Sequence, residues 1–164
     1  MDKFKKICKE LLPYIIIITV VVLIRTFIVT PIRVSGPSMN PTLKNGDIMI
    51  LNKLSKIDRF DIVVIKSKHL NDVLIKRVIA LPGETIEVVN GVIYINGKKL
   101  DDKYAYGKTS DVGKMKIPEG EYFVMGDNRE VSADSRLFGT FKKSEIKGTT
   151  RFTLFPFNRF GFKK

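Results

Sequence analysis

An almost unbroken apolar run lies near the start of the chain. Residues 11–29, LLPYIIIITVVVLIRTFIV, are apolar apart from Thr19, Arg25 and Thr26. An α-helix of this length spans about 28 Å, which is close to the thickness of the hydrocarbon core of a bilayer. Arg25 lies near the end of the run, where a long cationic side chain can reach the membrane interface. The pattern predicts one transmembrane helix, and we assign the anchor to residues 11–30.

The segment before this run predicts the orientation of the helix. Residues 1–10, MDKFKKICKE, are short and basic, and basic flanks stay on the cytoplasmic side of a membrane. The amino terminus is therefore expected in the cytoplasm and residues 31–164 outside it. A cleaved secretory signal peptide is the alternative, but its apolar part normally has about 7–15 residues and ends at a small-residue cleavage site. Here the run is longer and continues into FIVTPI, residues 27–32.

After residue 31 the pattern changes to short runs rich in β-branched residues, which are typical of strands. Asn90-Gly91 between two such runs is a strong type I′ hairpin signal, and Asn96-Gly97 marks a further turn. The polar stretch 98–117 is expected to be a loop or a small insertion. We therefore predict a mostly β protein, in which one folded antiparallel β-sheet domain over residues 31–164 follows the transmembrane helix. The predicted strands lie within GDIMILNKL (46–54), DIVVIK (61–66), DVLIKRVIAL (72–81), ETIEVVNGVIYING (84–97), EYFVMGDN (121–128) and GTTRFTLFPF (148–157).

One predicted strand carries two adjacent cations among apolar residues. In VLIKRVIAL, residues 73–81, strand geometry puts Lys76 and Arg77 on opposite faces. Whichever face is buried then contains a cation. Arg77 is expected to point away from Lys76 and to find either a carboxylate or solvent. Lys76 is either a strand residue whose amine reaches solvent or an acidic partner, or a buried lysine. Burial disfavours the ammonium form and lowers the pKa, which makes a lysine a usable general base.

Composition limits the partners and the kinds of site that are expected for the outer domain, residues 31–164. The formal net charge of the chain is +12 at pH 7, which suits work beside anionic lipid or a polyanionic envelope. Nucleic acid is the alternative partner for such a charge, but the sequence contains no known DNA- or RNA-binding motif. The single cysteine, Cys8, precedes the predicted helix, so the outer domain cannot form an internal disulfide or a cysteine-rich metal site. The single histidine, His69, is expected in a solvated loop.

Two further stretches are rich in residues suited to chemistry. In SGPSMNPTL, residues 35–43, glycine and prolines predict a turn that projects Ser38; an ordinary turn serine is the alternative. GDNREVSADSR, residues 126–136, predicts either a charged surface turn or a network that holds loops in place. A Ser-His-Asp hydrolase needs a histidine, and His69 lies in an unsuitable polar context. If Ser38 is a nucleophile, a Ser-Lys pair with Lys76 is the arrangement that fits.

Four motifs together resemble bacterial type I signal peptidase, peptidase family S26. They are SGPSMNPTL, GDIMILNK, KRVIALPGE and GDNREVSADSR, and they follow one another in the order of that family. The lysine in KRVIALPGE resembles the bacterial form, and the single anchor and short chain resemble the compact Gram-positive version. The resemblance implies a serine endopeptidase of the cell membrane that removes signal peptides after small residues of the A-x-A kind. Secretory preproteins and membrane lipid are the implied partners, with no metal, other cofactor or nucleic acid.

The resemblance also implies roles for individual residues. Ser38 is the implied nucleophile that becomes acylated, Lys76 is the general base of both steps, and Ser132 hydrogen-bonds Lys76 and orients it. The backbone N–H of Ser38 is an implied oxyanion donor. Some relatives place a serine hydroxyl two residues earlier, where this chain has Gly36, so the second donor is not identified. The residues implied to brace the site are Asp127, Asn128, Arg129, Asp134 and Arg136, with a pair between the last two.

Two other functions share part of this pattern. A Ser-Lys protease of the self-cleaving repressor type has the same chemistry, but it gives no reason for the anchor, and the chain shows no DNA-binding helix pair. The second is a non-catalytic, membrane-anchored binding protein. The presence of Ser38, Lys76 and Ser132 together argues against it, because a protein without catalysis does not require them.

The carboxyl-terminal tail has two interpretations. RFTLFPFNRFGFKK, residues 151–164, contains five phenylalanines. The tail is either a core strand with terminal packing, or an aromatic surface that contacts lipid headgroups beside its arginines and lysines.

Overall fold

The computed structural model describes residues 2–67 and 72–163. A long amino-terminal helix precedes strands that form two sheets. His69 lies outside the described residues, so its expected place in a loop stays a prediction. The helices and strands are α1 (Asp2–Phe27), β1 (Val29–Arg33), β2 (Ile48–Asn52), β3 (Ile62–Ser67), β4 (Asp72–Ala80), β5 (Thr85–Val89), β6 (Val92–Ile95), β7 (Lys98–Lys99), β8 (Val112–Lys116), β9 (Glu121–Met125), α2 (Ser135–Phe138), β10 (Phe141–Lys142), β11 (Ile146–Phe155) and β12 (Gly161–Phe162), with 3-10 turns at Lys143–Glu145 and Phe157–Arg159.

Helix α1 holds the one segment of the described chain that is long and apolar enough to cross a membrane. Its Lys9–Phe27 part has a mean hydropathy of 2.1, and none of it is buried against the rest of the protein. The helix ends at Phe27, and strand β1 begins two residues later, at Val29. The anchor predicted over residues 11–30 therefore extends past the end of the helix.

The Lys53 side chain joins the end of this helix to the sheet. Its amine donates to the carbonyl oxygens of Arg25 at 3.2 Å and Thr26 at 2.7 Å. The last carbonyls of a helix have no partner within the helix. Lys53, which directly follows β2, supplies that partner.

The strands form one large and one small sheet. The large sheet has the order β1-β2-β11-β3-β4-β9-β10, with β12 paired to β11, and the small sheet has the order β7-β6-β5-β8. Neighbouring strands pair antiparallel. Asn90 and Gly91 connect β5 to β6 with φ of 51° and 77°, and a type I′ turn requires positive φ at both positions. The predicted antiparallel, mostly β fold class is confirmed.

Of the two interpretations of residues 98–117, a loop or a small insertion, the loop is wrong at both ends. Strands β7 and β8 lie within this stretch and form the edges of the small sheet, and Ile117 is fully buried. Edge strands of a small sheet expose most of their side chains, so their sequence stays polar and lacks a clear apolar alternation. Because of that polarity, the sequence pattern did not identify β7 and β8 as strands.

One hydrophobic cluster joins the two sheets near β4. It combines residues of β4 and β9 in the large sheet with residues of β5 and β6 in the small sheet. Strand β4 lies between β3 and β9, and both of its faces are buried around the two cations. Lys76 is 4% exposed and Arg77 is 0% exposed. The members of the cluster are Ile79, Ala80, Ile86, Val88, Ile93, Ile95, Ile117, Phe123 and Met125.

The tail contains the predicted strand and an aromatic surface. Thr153 of β11 is fully buried, while the Phe152 ring meets the edges of Phe160 and Phe162 at 4.9 Å and 5.1 Å between ring centroids. Phe157 and Phe162 are nevertheless 79% and 80% exposed. The strand interpretation is confirmed for β11, and contact of these exposed rings with lipid stays a prediction.

Candidate active site

The turn between β1 and β2 presents Ser38. Met39 and Leu43 on this turn are buried in the core, whereas Ser38 is half-buried. Gly36 has φ of +84°, a conformation that costs glycine least. Its N–H donates to the side-chain oxygen of Asn45 at 3.1 Å. The two buried apolar side chains therefore hold the turn against the core, while the serine directly before Met39 stays accessible.

The Lys76 amine lies 2.8 Å from the Ser38 hydroxyl oxygen. Burial lowers the pKa of Lys76 from its usual value of 10.5; the negative charges of Asp134 and Asp127 oppose this shift, and the positive charge of Arg136 adds to it. A lysine that is neutral nearer to pH 7 can accept a proton from a serine hydroxyl. The fold thus brings the two residues singled out in the sequence into direct contact.

Arg77, the second cation of β4, has a buried carboxylate as its partner. Its Nε and Nη2 donate to the two oxygens of Asp127 at 2.8 Å and 2.7 Å, and its Nη1 donates to the Phe60 carbonyl oxygen at 2.8 Å. Both side chains of the ion pair are fully buried. Of the two partners expected for Arg77, a carboxylate or solvent, the structure has the carboxylate. This bidentate ion pair between Arg77 and Asp127 holds β4 in place directly beside Lys76.

Asp134 and Arg136 form the pair that the resemblance implied. Arg136 Nε and Nη2 donate to the two Asp134 oxygens at 2.9 Å and 2.8 Å, and the Gly126 N–H donates to Asp134 at 2.9 Å. Burial by itself raises the pKa of Asp134, but the hydrogen bonds from Arg136 and Gly126 and the Arg136 charge outweigh it and hold the pKa below 3.8. Asp134 is therefore an anion that anchors the loop after β9.

The same loop holds the backbone of the candidate nucleophile. The Asn128 N–H donates to the Ser38 carbonyl oxygen at 3.0 Å. Arg129, which is 2% exposed, donates from Nε to the Gly126 carbonyl oxygen at 2.9 Å. Asp127, Asn128 and Arg129 therefore lie where the resemblance predicted a supporting network.

Ser132 differs from its expected role. Its hydroxyl is buried and has no hydrogen-bond partner among the described residues, so the predicted bond to Lys76 is absent. The Lys76 amine donates to Ser38 instead. The Ser132 hydroxyl lies against Gly126, close to the Ser38 carbonyl oxygen. A contact with the ionised Asp134, too loose to count as a hydrogen bond, still adds slightly to the lowering of the pKa of that carboxyl.

Gly126 provides the space that these groups occupy, and we expect Gly126→Ala to damage the site. A Cβ there meets the Ser132 hydroxyl oxygen at 2.2 Å and the Ser38 carbonyl oxygen at 2.5 Å. Overpacking of this kind costs about 1–3 kcal/mol of unfolding free energy, and a displacement of about 1 Å in a site lowers kcat by about 10²-fold. Denaturant unfolding and peptide cleavage measure the two effects.

Gly113→Ala is the matched control, because a Cβ at Gly113 has no heavy atom within 4 Å. We expect it to change neither measurement. Wild-type cleavage by Gly126→Ala would contradict the close packing around Gly126.

Two residues close to the site carried no signal in the sequence. Asp102 forms a buried ion pair with Arg129, and the Arg77 guanidinium lies 3.7 Å from the centre of the Tyr104 ring. Both belong to the polar stretch 98–117, for which the sequence predicts a loop or a small insertion. Their neighbours in sequence, such as Asp101 and Lys103, are equally polar, so nothing local marks them.

Comparison with known proteins places the chain in a family. The model of the family described as signal peptidase, peptidase S26, matches residues 7–155. Signal peptidase I S of Bacillus subtilis (strain 168) is 39% identical over 175 aligned residues, which cover 96% of this chain and 94% of that protein. Signal peptidase I of Bacillus licheniformis is 41% identical over 160 aligned residues, which cover 88% of this chain and 86% of that protein.

A solved structure agrees with these relatives. The crystal structure of a signal peptidase I from Enterococcus faecalis V583 is 37% identical to this chain, with a TM-score of 0.53 over 58% of this chain and 97% of the solved one. The sequence match extends over nearly the whole of both curated relatives, and the fold match includes nearly all of the solved chain. The chain therefore belongs to the signal peptidases of peptidase family S26, the serine-type hydrolases that remove signal peptides.

Proposed function

We propose that Ser38 and Lys76 carry out the cleavage as a Ser-Lys dyad. The observation that carries this proposal is the 2.8 Å contact between the buried Lys76 amine and the Ser38 hydroxyl oxygen. Neutral Lys76 accepts the hydroxyl proton while the Ser38 oxygen attacks the carbonyl carbon of the scissile bond. The ammonium then donates that proton to the leaving amine nitrogen, and the signal peptide remains esterified to Ser38.

The second half of the reaction uses the same lysine. Neutral Lys76 takes a proton from a water molecule, whose oxygen attacks the ester carbonyl. The proton passes to the Ser38 oxygen as the ester bond breaks, which restores both side chains and releases the signal peptide. This role requires the neutral amine, and burial of Lys76 favours that form.

The backbone N–H of Ser38 is the proposed donor to the oxyanion. Among the described residues it donates no hydrogen bond, so it is free to do so. Gly36 offers no hydroxyl, and its own N–H already donates to Asn45. Asp127, Asn128, Asp134 and Arg136 support the reaction indirectly, since their contacts fix β4 and the Ser38 backbone.

The membrane arrangement is also a proposal. Residues 1–10 are cytoplasmic, α1 crosses the membrane once, and residues 31–164 form the extracytoplasmic peptidase domain. Strand β1 follows α1 almost directly, which keeps the domain close to the bilayer. The exposed Phe157 and Phe162 rings are suited to contact with lipid headgroups. Anchoring raises the local concentration of preproteins held in the same bilayer.

The proposed substrates are secretory preproteins with small residues before the scissile bond. We expect phenylalanine in place of alanine immediately before that bond to lower kcat/KM by about 10²-fold. Forcing a large ring into a pocket shaped for a methyl group costs up to about 3 kcal/mol. The measurement is cleavage of a purified preprotein in detergent by the full chain.

Phenylalanine at the middle position of the A-x-A sequence is the matched control, because that side chain points away from the enzyme when the substrate is extended. We expect cleavage of this preprotein to stay close to that of the parent. Equal cleavage of both phenylalanine variants would contradict the proposed specificity.

A further inference from the structure

Residues 100–111, here called the bridging segment, connect the small sheet to the active-site loop. The Tyr106 N–H donates to the Asp127 carbonyl oxygen at 2.8 Å, and the Arg129 N–H donates to the Tyr106 carbonyl oxygen at 2.8 Å. The Lys108 N–H donates to a Glu130 carboxylate oxygen at 3.1 Å. The backbone of the bridging segment is therefore attached to the loop that follows β9.

Asp102 is the acidic partner of the buried Arg129 guanidinium. The two side chains are 7% and 1% exposed and form an ion pair between Asp102 Oδ2 and Arg129 Nη2. Arg129 also donates from Nη1 to the Thr109 hydroxyl at 3.0 Å and from Nε to the Gly126 carbonyl oxygen at 2.9 Å. Loss of one member of a buried ion pair leaves an uncompensated charge, so Asp102 is the partner whose removal is expected to displace Arg129.

Two contacts connect the loop that contains Arg129 to the backbone of Ser38. Gly126, which Arg129 holds by its carbonyl group, lies against the Ser38 carbonyl oxygen. Asn128, the residue before Arg129, donates its N–H to the same Ser38 oxygen at 3.0 Å. The backbone of the nucleophile is thus fixed by a loop whose own position depends on Asp102.

Tyr104 contacts the other half of the site. The centre of its ring lies 3.7 Å from the Arg77 guanidinium carbon, and it also contacts the Phe60 ring at 5.3 Å between centroids. Arg77 pairs with Asp127 and is the neighbour of Lys76 on β4. An aromatic ring over a guanidinium is favourable and more so where water is excluded, so Tyr104 fixes the arginine beside the general base.

We propose that Asp102 and Tyr104 are positioning residues, through which the bridging segment sets the geometry between Ser38 and Lys76. The proposal rests on the proposed roles of Ser38 and Lys76. Strands β7 and β8 of the small sheet flank the bridging segment. The small sheet therefore has a role in the reaction under this proposal. Neither residue touches the reacting atoms. Asp102 acts through Arg129, and Tyr104 acts through Arg77.

The test compares Asp102→Asn with Asp101→Asn in the full chain. Asp101 is the adjacent residue, its side chain is 82% exposed, and it pairs with the exposed Lys103 at 3.5 Å. We expect Asp102→Asn to lower kcat for a preprotein by about 10²-fold, as for a displacement of about 1 Å in a site, with KM unchanged. Asp101→Asn is expected to leave both parameters as in the wild type. Wild-type kcat in Asp102→Asn would overturn the proposal for Asp102.

Tyr104 is tested by one disruptive and one conservative change. Tyr104→Leu removes the ring over Arg77 and is expected to lower kcat by at least 10-fold. Tyr104→Phe keeps the ring and is expected to restore wild-type kcat. Equal loss in both variants would show that the hydroxyl, and not the ring, matters, which overturns this part. If Asp102→Asn does not fold, the two Tyr104 variants decide the proposal.

A final variant separates positioning from loss of stability. Val88→Ala removes volume from the buried core of the small sheet without touching Asp102 or Tyr104. At an equal loss of Tm, we expect Val88→Ala to retain wild-type kcat below its melting temperature. An equal fall in kcat would mean a merely structural role. Ser38→Ala, assayed in parallel, distinguishes the two proposals: cleavage by that variant refutes the dyad, whereas wild-type kcat in Asp102→Asn refutes only the positioning role.

Discussion

Replacement of Ser38 by alanine is expected to reduce kcat by about 10⁶-fold, the scale found when a serine nucleophile is removed. The variant keeps Lys76 but has no hydroxyl oxygen to attack the scissile carbonyl, so no acyl-enzyme forms. The fold is expected to stay intact, because Ser38 is half-buried and its backbone contact with Asn128 does not involve the side chain. Cleavage of a purified preprotein by the full chain in detergent or vesicles is the measurement.

Ser35→Ala is the matched control for this change. Ser35 lies three positions earlier in the same turn and is exposed, so we expect full cleavage from that variant. Cleavage that survives Ser38→Ala would mean that another group is the nucleophile. It would also remove the reason for the contact between Lys76 and Ser38.

Lys76→Met is expected to lower kcat strongly and to raise stability at neutral pH. Methionine fills a similar volume but cannot accept the Ser38 proton, and loss of a general base lowers kcat by about 10²–10⁴-fold. Because burial lowers the pKa of Lys76, the folded protein loses the lysine proton at a lower pH than the unfolded chain does. The unfolded chain then binds more protons, so the stability of the wild type rises with pH between the lowered pKa and 10.5. The stabilisation by Lys76→Met is therefore largest below this window and declines through it.

The pH dependence of cleavage gives a second measurement of the same group. The neutral form of Lys76 is the active one, so kcat/KM of the wild type is expected to rise with pH through the lowered pKa, below the usual 10.5. Lys66→Met is the control, because Lys66 lies exposed on neighbouring β3. It is expected to change neither the pH profile nor the melting temperature at pH 7 and pH 10. Full activity in Lys76→Met, or a lower stability than the wild type at pH 7, would contradict a neutral catalytic lysine.

The proposed dyad could be named from the sequence because few residues compete for its roles. The only histidine, His69, lies in a polar stretch, which left Lys76 as the base for Ser38. The order of the four motifs supported the same pair. What the sequence could not show is the contact itself, which joins positions 38 apart and requires the turn before β2 to pack beside β4.

The supporting residues were predicted less completely. For Arg77 the sequence left a carboxylate and solvent open, and Asp127, 50 positions away, is the partner. For Ser132 the implied bond to Lys76 is absent. Side-chain partners of this kind depend on where a loop lies relative to a strand, and the polarity of a loop sequence does not encode that position.

The sequence by itself determined the elements of this protein whose cause is local. The length of the apolar run predicted the helix, short runs rich in β-branched residues predicted strands, and Asn90-Gly91 predicted the hairpin, since each depends only on neighbouring residues. The tertiary structure alone decided that both faces of β4 are buried, that Asp102 pairs with Arg129 of the active-site loop, and that the Tyr104 ring lies over Arg77 of β4. The physical reason is that burial and ion pairing depend on which strands become neighbours. Packing of the whole chain selects those neighbours across long separations in sequence.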